Sequence, residues 1–289
     1  MGRPRVSVVV PVHNEAERLP ACLEAIAAQD LPPEWVEVLV VDGGSGDGTD
    51  DVARRLLADR PWAGAAVLHS ASGDRSSNLN VGLDGARAPV LVRVDGRSRI
   101  PPHYLGRCLD VLERRPDVAV VGGSQRAVAP AGRPAEVGVA RALNNRWATG
   151  LARYRRAAGS GEADTVYLGA YRVEQLRAVG GWHRDLAVNE DFDLNRRLRR
   201  FGTVWFDAGL AVDYVPRSSL RALLRQYWDF GVGKARYWRV SGDRPRPRQV
   251  VLLTAPAVAA AGFVAVLAAL GPTAAASFAA AGVALAVAV

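Results

Sequence analysis

The chain has 289 residues, 49% hydrophobic and 23% charged, with a formal net charge of +8. That size and balance exclude a disordered chain and allow one large α/β domain with further elements attached. The positive excess points to an anionic membrane surface or an anionic substrate such as a nucleotide diphosphate. The aromatics are not interleaved with basic residues on a repeating platform, which argues against nucleic acid.

In chain order, "RVSVVVPV" is an apolar β-run. With the basic residues before it, the run is too short and turns polar too soon for a signal peptide. "EAERLPACLEAIAAQ" has helical spacing, with Leu19, Leu23 and Ile26 on one face. Asn14 and Glu15 stand where that helix opens, so plain capping competes with ligand binding for their role. "VEVLVVDGGSGDGT" is a strand that runs into a Gly-rich turn. The turn lacks the full G-x-G-x-x-G spacing, and a helix already lies between it and the first strand, which argues against a dinucleotide site. Asp42, at the end of this strand, either accepts hydrogen bonds from a base or ribose or braces the turn.

"DDVARRLLADR" is a helix with acids at its start, "AAVLHS" a short strand, "SNLNVGLDGAR" a helix and "PVLVRVDG" a strand. "PPHYLGRCLDVLERR" is a helix opened by Pro, and "VAVVGGSQR" another strand. This alternation predicts a mainly parallel sheet with helices on both faces, and ligands at the carboxyl ends of its strands. His13, Asn14, Glu15, Asp42 and Asp95 fall at such ends. Asp95 is a single carboxylate where Arg97 stands in place of a second acid. One carboxylate is a weak magnesium or manganese site that substrate phosphates and water would have to complete.

Residues 124–165 carry many Arg and Ala and are expected to include a mobile, acceptor-facing helix. "NEDFDLNRRLRR" reads as a helix with an acidic start. On the plain reading Asn189 caps it, Glu190 and Asp191 complement its dipole, and Asp193 pairs with Arg197. On the functional reading one of these carboxylates is a base. Two cysteines, Cys22 and Cys108, lie far apart in helical patterns with no CxxC, so a reducing compartment and no structural zinc are expected.

From Val250, "VVLLTAPAVAAAGFVAVLAAL", then "GP", then "TAAASFAAAGVALAVAV" contain no charge. They read as a transmembrane hairpin, the first run matching the roughly 20 residues a bilayer needs. An Ala-rich soluble pair is the alternative, but neither run has a polar face. The Arg- and Trp-rich stretch before it marks a cytoplasmic membrane flank. The expected division is 1–215 catalytic, 216–249 basic and aromatic beside the membrane, and 250–289 two membrane helices. The localisation that follows is the cell membrane, with the catalytic domain on its cytoplasmic side.

The ordered set "VSVVVPVHNEAERLPACLEAI", "VEVLVVDGGSGDGT", "VRVDG", "YLGAYRVEQLRAVGGW" and "NEDFDLNRRLRRFG" resembles family 2 glycosyltransferases, specifically their membrane-associated exopolysaccharide branch. The resemblance implies a GT-A fold, Rossmann-like. It implies an inverting transfer of sugar from a nucleotide-diphosphate sugar to a glycan or lipid-linked acceptor in polysaccharide biosynthesis. By position, Pro11, His13, Asn14, Glu15 and Asp42 would hold the nucleoside. Asp95 would bind a divalent manganese or magnesium ion, Asp191 of the Glu190–Asp191 pair would be the base, Asn80 and Glu190 would contact the substrate, and Gly169 would shape the acceptor side. Lys234 or Arg236 would lie near the diphosphate, in place of a Gln-x-x-Arg-Trp element whose spacing is not matched. Three positions depart from the pattern: Gly43 for an acid, Leu79 for an Arg, and Arg97 for the second acid. Arg97 either points away from a metal held by Asp95 or binds the diphosphate directly. A nucleotidyltransferase and a non-catalytic membrane scaffold are the alternatives. The first lacks a basic Gly-rich loop, and the second is opposed by intact Asp42, Asp95 and Asp191.

Overall fold

The computed structural model describes residues 3–145, 159–186, 188–216 and 220–242, and four isolated positions beyond them. The chain resolves into two compact units, Met1–Lys234 and Ala235–Val289. The expected membrane hairpin at 250–289 lies almost wholly outside the described residues, among which no helix is long and apolar enough to cross a membrane.

The strands are β1 (Val6–Val12), β2 (Val36–Asp42), β3 (Gly64–His69), β4 (Val90–Arg93), β5 (Ser98–Arg99), β6 (Val118–Ala127), β7 (Gly161–Glu162), β8 (Tyr167–Arg172) and β9 (Thr203–Tyr214). The helices are α1 (Leu19–Ala27), α2 (Thr49–Ala58), α3 (Arg75–Gly85), α4 (Tyr104–Arg114), α5 (Pro134–Asn144), α6 (Val173–Ala178), α7 (Glu190–Leu198) and α8 (Leu220–Ser241). The sheet runs β3-β2-β1-β4-β8-β6-β9-β5, with β7 on β9. Its first four strands are parallel. The expected mainly parallel sheet is therefore found only in the N-terminal half. β8 inserts antiparallel between β4 and β6, and β9 is parallel to β6 but antiparallel to β5 and β7, so the sheet as a whole is mixed.

β1 and β2 are buried on both faces, which is why they read as unbroken Val-rich runs. One face packs Val8, Val10, Val38 and Val92 against Leu19, Leu23 and Ile26 of α1 and Leu105 and Leu109 of α4. The other packs Val9, Leu39 and Leu91 against Leu79 and Leu83 of α3 and Leu194 and Leu198 of α7. The period-2 alternation of β4 puts Leu91 and Arg93 on this second face. From β1 the chain steps outward to β2 and β3, then returns to the other side of β1 for β4. The carboxyl ends of β1 and β4 therefore flank a topological switch point, where open α/β sheets bind ligands.

Neither capping alternative is realised. Asn14 and Glu15 do not cap α1, which begins four residues after Glu15; Asn14 instead takes a left-handed turn at φ 55°, one of the few non-glycine types that tolerates it. Asn189 is also left-handed, at φ 65°, and gives α7 no side-chain cap. The expected Asp193–Arg197 pair is present, at 2.7 Å. Of the 124–165 segment, α5 is helical and 146–158 lie outside the described residues. Cys22 and Cys108 are free and buried, on α1 and α4.

Candidate active site

The loops after β1 and β2 are tied together. Asn14 N–H donates to Ser45 Oγ at 2.8 Å, and Gly46 N–H donates to Asn14 Oδ1 at 2.9 Å. Glu15 N–H donates to Thr49 Oγ1 at 2.9 Å, and His13 Nδ1 lies 3.0 Å from the Gly43 carbonyl. Asp42 braces its own turn: its oxygens accept the Ser45 N–H at 3.3 and 3.1 Å and the Ser45 hydroxyl at 2.5 Å. Packing accounts for two of the departures from the family pattern. A Cβ on Gly43 would lie 2.7 Å from Asn78 Nδ2 and 2.9 Å from Gly73 Cα, so no acid fits there. Leu79 is fully buried in the second core cluster, where a guanidinium would be unpaired.

Across the switch point stands a residue that the motif reading passed over. Arg93 is 3% exposed and joins three carboxylates. Its Nε and Nη2 donate to the two oxygens of Asp95 at 2.7 and 3.2 Å. Its Nη1 donates to Asp191 Oδ1 at 2.5 Å and lies 3.4 Å from Glu190 Oε1, which also accepts from Arg75 at 3.3 Å. A signal was present in the sequence: a charge inside the apolar run "PVLVRV" must be paired if it is buried.

Asp191 is also held from the other side. Asn80 accepts the Trp182 N–H on Oδ1 and donates its Nδ2–H to the Trp182 carbonyl, both at 2.8 Å. The Trp182 indole N–H in turn donates to Asp191 Oδ1 at 3.3 Å. Gly181 makes this clamp possible: its φ is +67°, and a Cβ there would sit 2.3 Å from Asn80 Oδ1. Tyr171 packs edge-on against Trp182 at 5.7 Å, and its hydroxyl fills the space where a side chain on Gly169 would be. Asn80 and Gly169 thus act on Trp182 and Tyr171. Asn80→Ala should lower unfolding stability by about 1–3 kcal/mol, because the buried Trp182 N–H and carbonyl lose their partners. A denaturant titration checks this. Unchanged stability with a raised KM would instead place Asn80 on the substrate.

The electrostatics separate the carboxylates. The Asp191 carboxyl is pushed up to about 6, chiefly by burial; Arg93 pulls it down, and Glu190 and Asp95 add to the rise. Asp95 is held below the usual carboxylate value, because Arg93 and Arg75 together outweigh its burial. One group in this cluster is therefore poised to exchange a proton near neutral pH while its neighbour stays ionised.

Arg97 makes no hydrogen bond or ion pair with Asp95 among the described residues. Its Nε donates to Glu15 Oε1 at 2.5 Å, tying the β4 loop to the residues before α1. Lys234 places its Nζ 4.1 Å from the ring centroid of Phe192, next to Asp191 in sequence. Arg236 is exposed on α8, in the second unit. Pro11, half-buried within β1, leads into the His13–Glu15 loop.

Neither candidate metal position is a preformed cage. Both Asp95 oxygens face one guanidinium, and Asp95 belongs to no group of three potential ligands among the described residues. Asp42, Asp50 and His69 do bring three ligand atoms within 4.8 Å of one another. Arg54 already lies among them, 2.7 Å from Asp50 Oδ2 and 3.1 Å from His69 Nε2.

Residues 7–149 match the family described as "Glycosyl transferase family 2". The chain is 29% identical over 256 residues to the succinoglycan biosynthesis protein ExoA of Rhizobium meliloti, covering 87% of this chain and 76% of that one. It is 23% identical over 235 residues to a dolichyl N-acetyl-α-D-glucosaminyl phosphate 3-β-D-2,3-diacetamido-2,3-dideoxy-β-D-glucuronosyltransferase of Methanococcus voltae, covering 79% and 72%. Among solved structures, the mannosyltransferase PcManGT of Pyrobaculum calidifontis, in complex with GDP-Man and Mn2+, superposes with a TM-score of 0.70. That likeness, at 23% identity over 99% of this chain and 81% of the other, shows the GT-A fold.

Proposed function

We infer, from the premise that this chain is a glycosyltransferase carrying a family 2 domain, that Asp191 is the base of an inverting transfer from a nucleotide-diphosphate sugar. The observation that carries this reading is the Arg93 and Trp182 clamp on a half-buried carboxylate raised to about 6, beside the β1–β4 switch point. The acceptor hydroxyl gives its proton to Asp191 as its oxygen attacks the anomeric carbon. The bond to the diphosphate breaks on the opposite face, and a single displacement inverts the centre. The diphosphate leaves with the electron pair and needs positive charge. Arg75, ion-paired to Glu190, and Lys234, over the Phe192 ring, are the residues we assign to supply it. The β1 and β2 loops, from Pro11 to Glu15 and at Asp42, cradle the nucleoside.

The acceptor is a lipid-linked glycan, and residues 250–289 hold the chain in the cell membrane with its catalytic domain on the cytoplasmic side. Support comes from the uncharged apolar character of that segment, the Arg- and Trp-rich stretch before it, and the lipid-phosphate chemistry in the name of the Methanococcus relative. Nucleotide sugars should be screened for thermal protection and then for transfer, with and without manganese. One nucleotide sugar should raise the unfolding temperature and yield a product of inverted anomeric configuration. Manganese alone should leave the unfolding temperature unchanged, since among the described residues Asp95 joins no group of three ligands and Arg54 already lies among Asp42, Asp50 and His69. A product with retained configuration would overturn the mechanism.

A further inference from the structure

We propose that the protein has a second anion site, which receives a phosphate or diphosphate group of the acceptor and not of the donor. The assignment to the acceptor rests on the glycosyl-transfer reading above; the anion site itself does not. The site is an open cavity of about 300 Å³ lined by Arg18, Arg97, Arg99 and Arg133, at the lower end of small-ligand pockets, roughly 300–1,000 Å³. None of Asp42, Asp95, Glu190 and Asp191 lines it.

The four arginines come from separate pieces of chain, so they are not one solvated charge run. Arg18 precedes α1, Arg97 and Arg99 flank Ser98 at β5, and Arg133 precedes α5. The fold assembles them: β5 pairs with the end of β9, and Val215 N–H donates to the Arg97 carbonyl at 3.1 Å.

Their charges are incompletely met. Arg18 reaches Glu17 only at 3.5 Å and Glu15 at 3.9 Å, and Arg133 reaches Glu136 at 3.9 Å. Arg97 spends its Nε on Glu15, while its two terminal nitrogens make no hydrogen bond among the described residues. Arg99 makes no ion pair among them. Glu17 and Glu136 also line the cavity and Glu15 pairs with Arg97, so four cations face three carboxylates and an excess of positive charge remains. Guanidinium forks from several directions match the geometry and charge of a phosphate. Arg97 lies two residues beyond Asp95, which puts this anion site next to the donor crevice and separate from it.

The test uses the full chain in detergent, with the donor site filled by excess UDP and GDP. Inorganic pyrophosphate is titrated calorimetrically into the wild type and into the double variant Arg99→Ala/Arg133→Ala. Both side chains are largely solvent-facing, so the fold should survive. Saturable binding by the wild type, weakened at least tenfold in the variant, is the expected result, with nucleotide affinity changed less than twofold. Nanodiscs containing a polyprenyl phosphate should compete with pyrophosphate if the anion is a lipid headgroup; their failure to compete, with pyrophosphate still bound, would retain the anion site but refute its assignment to a lipid acceptor. No pyrophosphate binding with nucleotide present, or equal binding by the variant, overturns the anion site. Donor turnover measured on the same samples reports separately on the glycosyl-transfer reading.

Discussion

Asp191→Asn should reduce kcat by roughly 10²–10⁴ while leaving donor affinity nearly unchanged, the range expected when a positioned base is lost. The substitution keeps the shape of the side chain and removes only its basicity. Folding should not suffer. A carboxyl whose folded pKa is raised costs stability once pH climbs past its unfolded value, so replacing it is neutral or stabilising at neutral pH. A melt at pH 7.5 should therefore match or exceed the wild type, which separates lost chemistry from lost structure. In the wild type, kcat/KM should fall tenfold per pH unit below about 6, as Asp191 of the free enzyme takes up its proton. Unaltered turnover in the variant would remove Asp191 from the mechanism and reopen the reading of the chain as a scaffold.

The second large effect is at Arg93. Arg93→Met leaves part-buried Asp95 and buried Glu190 with Arg75 alone, and breaking such a pair costs about 3–5 kcal/mol. The same change removes the main pull holding Asp191 down, so whatever folded enzyme remains should show its acid limb displaced to higher pH. Arg93→Lys keeps the charge but not the fork, and should restore part of the stability and most of the pH profile. If Arg93 served only to fill the core, Met would be tolerated and the limb would stay where it is. The profile is therefore the decisive readout.

Much of the architecture was legible from the residues. The unbroken Val runs of β1 and β2, the helical spacing of Leu19, Leu23 and Ile26, and the Gly-rich turn after Asp42 each follow from local burial or backbone freedom. The antiparallel insertion of β8 between β4 and β6 was not, because strand order depends on pairing across about 80 residues of intervening chain, which no local period records. The capping alternative for Asn14 and Asn189 fails for a related reason: Asn favours both caps and left-handed turns, and only the surrounding contacts choose between them.

The division is clearest at the site. The sequence by itself determined which carboxylates exist, that Asp42 ends a strand and Asp95 follows one, and that Asp191 opens a helix. Only the tertiary structure decided what each meets. Asp42 turns onto Ser45, Asn80 and Gly169 serve Trp182 and Tyr171, Arg97 turns to Glu15, and Arg93 gathers Asp95, Glu190 and Asp191. The physical reason is that the proton affinity of a carboxylate depends on burial and on charges a few ångströms away. Those neighbours come from strands and helices nearly 100 residues apart.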